Sequence, residues 1–233
     1  WLRHGKDLIK RLAAPPAAGR IFSEPHIEQR LRFAPDCPHL LRPMGFDAAI
    51  AGCAAAASAS HDIVYCGSTS RSGVVDTLEA LANAGWKVIV FGKLEDADSR
   101  ARLHHAGVEI AGAIGRHDVP AALATARFGL NVTPDVAPFN RQASVKTLEY
   151  AAAGLGIIAN RYAWIEDFAE RHGIAVHWLD DVLAQGRTAP DRLAPAPVDL
   201  ARIAYLEWEC LLGRVGFSAF LQRCLAQGGG AGR

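Results

Sequence analysis

Six short apolar runs separated by helical patterns constrain the fold of this chain more than any other feature. Several of the runs are nearly continuous and rich in β-branched residues, which is typical of strands buried on both faces of a sheet. They begin at Asp62 (DIVYCG), Trp86 (WKVIVFG), Val108 (VEIAGAIG), Phe128 (FGLNVTP), Gly156 (GIIANR) and Ala175 (AVHWLD). Because helical patterns lie between them, the alternation predicts an α/β fold, with a doubly wound, Rossmann-like parallel sheet and flanking helices, over residues 60–182.

The helical patterns begin and end at residues that favour helix termini. Asp118 stands at a predicted N-cap with Pro120 just inside the helix, and Ser144 opens the pattern SVKTLEYAAAG, which Gly154 closes. Near the end of the chain, residues 200–226 show one more pattern, for which we expect a single helix that its two glycines kink or break.

The order of these patterns predicts three regions. Residues 1–45 hold a helical start, a Pro/Ala turn and a proline-containing connector. Residues 46–199 hold the α/β pattern, and residues 200–233 hold the C-terminal helix followed by a Gly-rich tail that we expect to be disordered.

Composition disfavours several function classes. Half of the residues are hydrophobic, the formal net charge is +1 and no basic block stands out, so no nucleic-acid partner is expected. No apolar run approaches the roughly 18 residues that a membrane span requires. The five cysteines include no C-x-x-C pair, which disfavours a disulfide framework or a zinc site and is typical of reduced thiols in a cytoplasmic protein.

Three loops that follow predicted strands hold candidate ligand groups, because ligands of open parallel sheets bind beyond the carboxyl ends of the strands. The loop Gly67–Gly73 (GSTSRSG) either cradles a phosphate or a sugar with its backbone N–H groups or is an ordinary turn before a helix. It lacks the G-x-G-x-x-G spacing of nicotinamide dinucleotide sites. Lys93 and the pair Gly115 and Arg116 follow the next two strands, where they either contact a ligand or are simply exposed to solvent.

The fourth such loop leads into the helix that Ser144 opens, and two interpretations of that helix are equally open. Lys146 falls in its first turn, where a positive charge opposes the helix dipole, and Glu149 shares the same face three residues later. One interpretation is an ion pair on a solvated helix. The other is a helix N-terminus that receives a phosphate, with Lys146 as the counter-charge and Glu149 as the acceptor of hydrogen bonds from a ribose diol.

The same segment resembles a known family. In the C-terminal donor-binding domain of GT-B glycosyltransferases of the group 1, family 4-like type, a stretch similar to S-x-K-x-x-E-Y-x-A-x-G-x-P-(I/V)-(I/V)-A recurs. This chain matches it at Ser144, Lys146, Glu149, Tyr150, Ala152 and Gly154 and in the strand IIA, and departs from it at Gly156, where the usual residue is proline. Residues 62–92 are similar to the first βαβ unit of that domain, residues 122–132 to the segment that enters the fourth strand, and residues 40–50 to the crossing segment before the domain.

The resemblance implies a site for a nucleotide-diphosphate sugar. Glu149 would hold the ribose hydroxyls, and Gly115 and Arg116 would flank the base. Lys146 and Arg71 would face the diphosphate as catalytic groups. The implied donor-binding set also includes Gly67, Ser68, Thr69, Ser70, Lys93, Asn140 and Ser144.

The resemblance also implies how the reaction is catalysed. GT-B enzymes stabilise the leaving diphosphate with basic side chains and helix dipoles, usually without a metal, so no cofactor is expected. Arg141 stands eight residues before Glu149, where many retaining members have a second glutamate, so the stereochemical outcome is left open. The general base of inverting members usually comes from the N-terminal domain. Since about 45 residues precede the donor domain, we expect an incomplete portion of a hexosyltransferase-type enzyme that lacks its N-terminal acceptor domain.

The implied partners are a nucleotide sugar and a saccharide or lipid-linked acceptor, as in polysaccharide biosynthesis. A lipid-linked acceptor would bring the enzyme to the inner face of the membrane. Two alternatives stay open. A sugar-nucleotide epimerase of the non-hydrolysing kind has the same architecture but needs acidic groups at the cleft, for which Asp135 and Glu149 are the candidates. A degenerate module that binds a nucleotide sugar, or only scaffolds a partner, needs no catalytic group.

Overall fold

The computed structural model describes residues 17–31, 33, 37–54, 59–94 and 96–228. These residues form two compact units, one of residues 46–204 and one drawn from residues 1–45 and 205–233. The predicted helical start before residue 17 and the Gly-rich tail after residue 228 lie outside the described residues.

The structure contains the following regular elements in chain order. The strands are β1 (Arg20–Phe22), β2 (His39–Leu41), β3 (His61–Cys66), β4 (Val88–Phe91), β5 (Glu109–Gly112), β6 (Ala126–Asn131), β7 (Gly156–Ala159) and β8 (Val176–Trp178). The helices are α1 (Pro25–Leu31), α2 (Val74–Asn83), α3 (Ala97–His105), α4 (Val119–Leu123), α5 (Val145–Ala153), α6 (Ala163–His172), α7 (Leu179–Ala184), α8 (Ala189–Arg192), α9 (Trp208–Arg214) and α10 (Phe217–Gly228).

A six-stranded parallel sheet forms the centre of the unit of residues 46–204. Its order is β5-β4-β3-β6-β7-β8, so the strand order reverses between β3 and β6, as in a Rossmann-like fold. All six apolar runs of the sequence are strands of this sheet, which confirms the predicted doubly wound α/β fold. Ligands of such sheets bind beyond the carboxyl ends of the strands, near the point of reversal.

The core of this unit lies between the sheet and its helices. The central strands β3, β6 and β7 are buried because they have neighbours in the sheet on both sides and helices packed against it. On α2, Leu78 and Leu81 are fully buried against the sheet. Each leucine buried in this way stabilises the fold by about 1.5–3 kcal/mol. The sheet is therefore a rigid support for the loops at its carboxyl edge.

The break that its glycines allowed in the helix of residues 200–226 is confirmed at Gly216, but the first part of this segment is not α-helical. Residues 200–206 form two short 3₁₀ turns, and the rest is divided into α9 and α10. Gly216 lies between these two helices with φ of +68°, a left-handed conformation that glycine adopts at low cost and that ends α9. At α4 the predicted N-cap position of Asp118 is confirmed, but its side chain makes no hydrogen bond to the helix.

The second unit combines both ends of the described chain. Strands β1 and β2 pair in parallel, and α10 buries Phe220. Gly45 allows a close approach, because a Cβ there would lie 2.5 Å from the carbonyl oxygen of Leu206. No helix in the described ranges is long and apolar enough to cross a membrane.

Candidate functional site

The loop after β3 and the first turn of α5 meet at the carboxyl edge of the sheet. Gly67 has φ of +143°, and a Cβ on it would lie 2.5 Å from Cε and 3.0 Å from Nζ of Lys146. Only glycine leaves room for the lysine side chain at this distance. The structure therefore brings together two predicted site residues that are far apart in the sequence.

The loop after β4 packs against the loop after β3. A Cβ on Gly92 would lie 2.0 Å from the carbonyl oxygen of Gly67, and the Thr69 hydroxyl donates to the carbonyl oxygen of Lys93 at 3.2 Å. Within the first loop, the hydroxyls of Ser68 and Ser70 are hydrogen-bonded at 2.8 Å. Five of the predicted donor-binding residues thus lie in one pair of adjoining loops: Gly67, Ser68, Thr69, Ser70 and Lys93.

Lys146 is held in the first turn of α5 over an aromatic ring. Ser144 is the N-cap of this helix and accepts a hydrogen bond from the Thr147 N–H at 3.3 Å, which confirms the predicted cap. The ammonium of Lys146 lies 5.1 Å from the ring centroid of Tyr65. Burial, and then the positive charge of Arg71, lower the pKa of Lys146 to about 8. A cation held in this way attracts an anion more strongly than a solvated lysine does.

Lys146 and Glu149 do not form the ion pair that their spacing allows. Across the described residues, Lys146 Nζ has no salt bridge and no hydrogen bond, whereas Glu149 pairs through Oε1 with Nη1 of Arg116. Glu149 is only 6% exposed. The interpretation of this segment as a solvated helix with an i,i+3 ion pair is therefore wrong, and the anion-binding interpretation remains.

The partner of Glu149 comes from the loop after β5. Arg116 begins a 3₁₀ turn (Arg116–Asp118), and its side chain is about half exposed while it reaches the buried carboxylate. Gly115 precedes this turn, and a Cβ there would lie 2.7 Å from His117. The residues predicted to flank the base and the residue predicted to hold the ribose are thus adjacent in the fold.

Two tyrosines that the loop sequences do not indicate anchor the site. The hydroxyl of Tyr65 donates to the carbonyl oxygen of Ser68 at 2.7 Å, and that of the fully buried Tyr150 accepts from the N–H of Cys66 at 3.1 Å. Burial raises the pKa of Tyr65 to about 12 and also raises the pKa of the Cys66 thiol, so both groups stay protonated at neutral pH. Tyr150 had one sequence signal, since it belongs to the matched motif.

The loop between β6 and α5 holds the remaining predicted residue. Asn140 donates to Oδ1 of the exposed Asp135 at 3.0 Å, and its own Oδ1 is buried without a hydrogen-bond partner among the described residues. The contacts of Asn140 do not connect it with Lys146 or Glu149. Thr133 and Asn160 fix the start of this loop by reciprocal hydrogen bonds of 2.9 and 2.8 Å, a support that the sequence did not reveal. In the described part of the chain, no group of three or more metal-ligating side chains is clustered.

Comparisons with known proteins point to one family. Residues 71–203, more than half of the chain, match the family model described as glycosyl transferase-like. Among solved structures, the chain is similar to AviGT4, a glycosyltransferase involved in avilamycin A biosynthesis, with a TM-score of 0.61 and 15% identity over 88% of this chain. It spans 64% of the AviGT4 chain. MurG of Acinetobacter baumannii also matches, with a TM-score of 0.39 and 12% identity over 84% of this chain and 67% of that one. No curated protein sequence matches.

The family match covers residues that meet at the carboxyl edge of the sheet. The matched region includes Arg71, Lys146 and Glu149, and the strand order is that of a Rossmann-like domain. The likeness to AviGT4 shows the shared fold. The chain therefore belongs to the glycosyl transferase-like family and contains a GT-B glycosyltransferase domain.

Proposed function

We propose that this chain binds a nucleotide-diphosphate sugar and supports transfer of its hexosyl group to an acceptor hydroxyl. The observation that carries the proposal is the separation of charges at the site. Lys146 is partly buried at a helix N-terminus and forms no salt bridge within the described residues, and the buried carboxylate of Glu149 lies one turn deeper in the same helix. A positive charge such as that of Lys146 suits a diphosphate, and a carboxylate such as that of Glu149 suits a ribose diol.

Lys146 and Arg71 are the proposed catalytic groups. Glycosyl transfer breaks the bond between the anomeric carbon and a phosphate oxygen, so negative charge develops on the diphosphate as it leaves. Arg71 lies near enough to Lys146 to lower the pKa of that lysine, which places two positive charges at one position. The backbone of the loop Gly67–Ser70 and the N-terminus of α5 add their N–H dipoles. This arrangement stabilises the leaving group without a cofactor.

The other predicted residues are assigned to the nucleoside and the sugar. Glu149 accepts hydrogen bonds from the ribose hydroxyls, and the backbone at Gly115 and Arg116 flanks the base. Lys93 and Asn140 are assigned to the sugar, and the Oδ1 of Asn140, which has no hydrogen-bond partner among the described residues, is able to accept a hydrogen bond from a sugar hydroxyl. Ser144 contributes by capping the helix.

The acceptor is proposed to be a saccharide or a lipid-linked saccharide, as in polysaccharide biosynthesis. Its hydroxyl attacks the anomeric carbon while a general base removes the proton. We assign that base to an N-terminal acceptor domain rather than to the donor site, and we place the reaction in the cytoplasm at the inner face of the membrane.

Thermal shift and calorimetry with UDP, GDP and their sugar conjugates test this proposal. We expect at least one of these nucleotides to raise Tm, the Glu149→Ala variant to lose that rise, and Lys146→Met to weaken binding by about tenfold or more, because charge-assisted hydrogen bonds to phosphate are lost. Asp98→Ala is the matched control, since Asp98 is an exposed carboxylate on α3. If no nucleotide binds, or if Glu149→Ala binds as well as the wild type, the assignment is wrong.

A further inference from the structure

The ion pair between Arg116 and Glu149 gives the arginine a specific role at the proposed donor site. We propose that Arg116 is a positioning residue, which orients the Glu149 carboxylate so that it recognises the 2′,3′-diol of the nucleotide ribose. The inference rests on the proposed function and adds to it a determinant of specificity for ribonucleotides.

The carboxylate of Glu149 is buried. Its side chain is 8% exposed, and a carboxylate withdrawn from water to that extent is stable only when a cation or several hydrogen bonds satisfy it. Within the described ranges, Arg116 is the only side chain that pairs with it. Lys146, three residues earlier on the same helix, makes no bond to Glu149 and remains available for phosphate.

Arg116 reaches Glu149 from another loop of the fold. It belongs to a different loop from Glu149, 33 residues away in the sequence, and its side chain is 52% exposed. The guanidinium is therefore at the solvent side of the pair, where a ligand approaches the carboxylate. Because it belongs to a short 3₁₀ turn at the end of β5, its position is set by the sheet and not by α5.

The carboxylate of Glu149 still has hydrogen-bond acceptors for a ligand. An ionised carboxylate accepts hydrogen bonds at both oxygens and donates none, and the bond from Nη1 of Arg116 uses only part of Oε1. The remaining lone pairs suit two hydroxyl donors on adjacent ribose carbons. Without Arg116, the buried carboxylate would have to turn toward another donor, and it would then lose its match to the diol.

Calorimetric titrations with ribonucleoside diphosphates and their 2′,3′-dideoxy counterparts test this role in the whole chain. We expect the wild type to prefer the ribonucleotide by about tenfold or more, since hydrogen bonds to a charged group are lost with the dideoxy ligand. Arg116→Ala should weaken ribonucleotide binding by about tenfold and dideoxynucleotide binding by less than about twofold. Arg116→Lys should restore part of the preference. Arg171→Ala, the loss of an exposed arginine on α6 that pairs with Asp167, should change neither affinity.

A double-variant comparison keeps the test decisive if Arg116→Ala folds poorly with its buried charge unpaired. Glu149→Gln alone should abolish the ribose preference, and adding Arg116→Ala to it should have no further effect on either ligand. If the double variant binds both ligands more weakly than Glu149→Gln, Arg116 contacts the nucleotide directly and the inference is overturned. It is also overturned if Arg116→Ala keeps the wild-type preference. A wild type that binds no nucleoside diphosphate overturns the proposed function itself, and this inference with it.

Discussion

Replacing Lys146 with methionine is expected to make the protein more stable at pH 7, although the change removes a proposed catalytic group. The lysine stem packs against Gly67 and Tyr65, and methionine keeps an unbranched apolar chain at that position. What the substitution removes is a positive charge that is partly withdrawn from water and forms no salt bridge with any described residue. The charged lysine therefore lowers the stability of the fold, a cost that its proposed role in anion binding explains.

The magnitude follows from the pKa. Burial and the nearby Arg71 lower the pKa of Lys146 from 10.5 to about 8, so the folded protein holds this proton less firmly than the unfolded chain does. Since one pKa unit corresponds to about 1.36 kcal/mol, the charged lysine costs about 3 kcal/mol at pH 7, or about 2 kcal/mol once solvent screening is allowed for. In a chain of this size about 2 kcal/mol raises Tm by roughly 4–8 °C.

The pH dependence of this effect has a definite sign. Between about pH 8 and 10.5 the unfolded chain binds more protons at this position than the folded protein, so the contribution of Lys146 to wild-type stability rises with pH. The advantage of the methionine variant should therefore be complete below pH 8 and disappear as the pH approaches 10.5. Denaturant unfolding in phosphate-free buffer measures it, because phosphate would itself bind the charged lysine.

Lys87→Met is the matched control. Lys87 is an exposed lysine just before β4, so the same substitution there should change stability by less than about 0.5 kcal/mol. The reasoning is refuted if Lys146→Met is no more stable than the wild type at pH 7. It is also refuted if the stability difference between the two proteins is the same at pH 7 and near pH 10.

Three further substitutions follow from contacts in the same unit. Gly129→Ala should destabilise the fold by about 3 kcal/mol in urea unfolding, because its Cβ would lie 2.2 Å from Cγ of the buried Tyr150 ring. An unchanged urea midpoint of unfolding would contradict this packing. Gly67→Ala should cost about 1–3 kcal/mol in backbone strain and displace Lys146. Thermal shift should therefore show a lower Tm and no response to nucleotides. An unchanged response would mean that this loop does not contribute to nucleotide binding. Ser144→Ala should cost about 1 kcal/mol by removing the cap of α5, and a loss below about 0.3 kcal/mol in calorimetry would show that the cap does not matter.

The strands and the site helix could be predicted from the sequence because their signals are local. A strand buried on both faces must be apolar along its whole length, so the six runs were recognisable without knowledge of their neighbours. Ser144 and Gly154 mark the ends of α5 for an equally local reason, since the one supplies a hydroxyl to the first turn and the other adopts a left-handed conformation. The glycines of residues 200–226 likewise indicated the break at Gly216, whereas the 3₁₀ turns of residues 200–206 were missed because the local pattern does not separate them from the start of an α-helix.

The partners of the charged residues could not be predicted in the same way. Their spacing allowed Lys146 and Glu149 to pair with each other. A solvated helix with this ion pair and an anion-binding helix were therefore equally consistent with the sequence. The fold places Arg116 against Glu149 instead, because the loop after β5 and the helix after β6 meet at the same edge of the sheet.

Patterns within a few residues of the sequence establish the α/β class, the parallel sheet and the helix that carries the candidate site. The fold, by contrast, brings Lys146 against Gly67 without a salt bridge to any described residue, and it buries Glu149 and pairs it with an arginine of another loop. The physical reason is that burial and charge neutralisation depend on which distant segments are brought together, and the strand order of the sheet, not any local pattern, sets that arrangement.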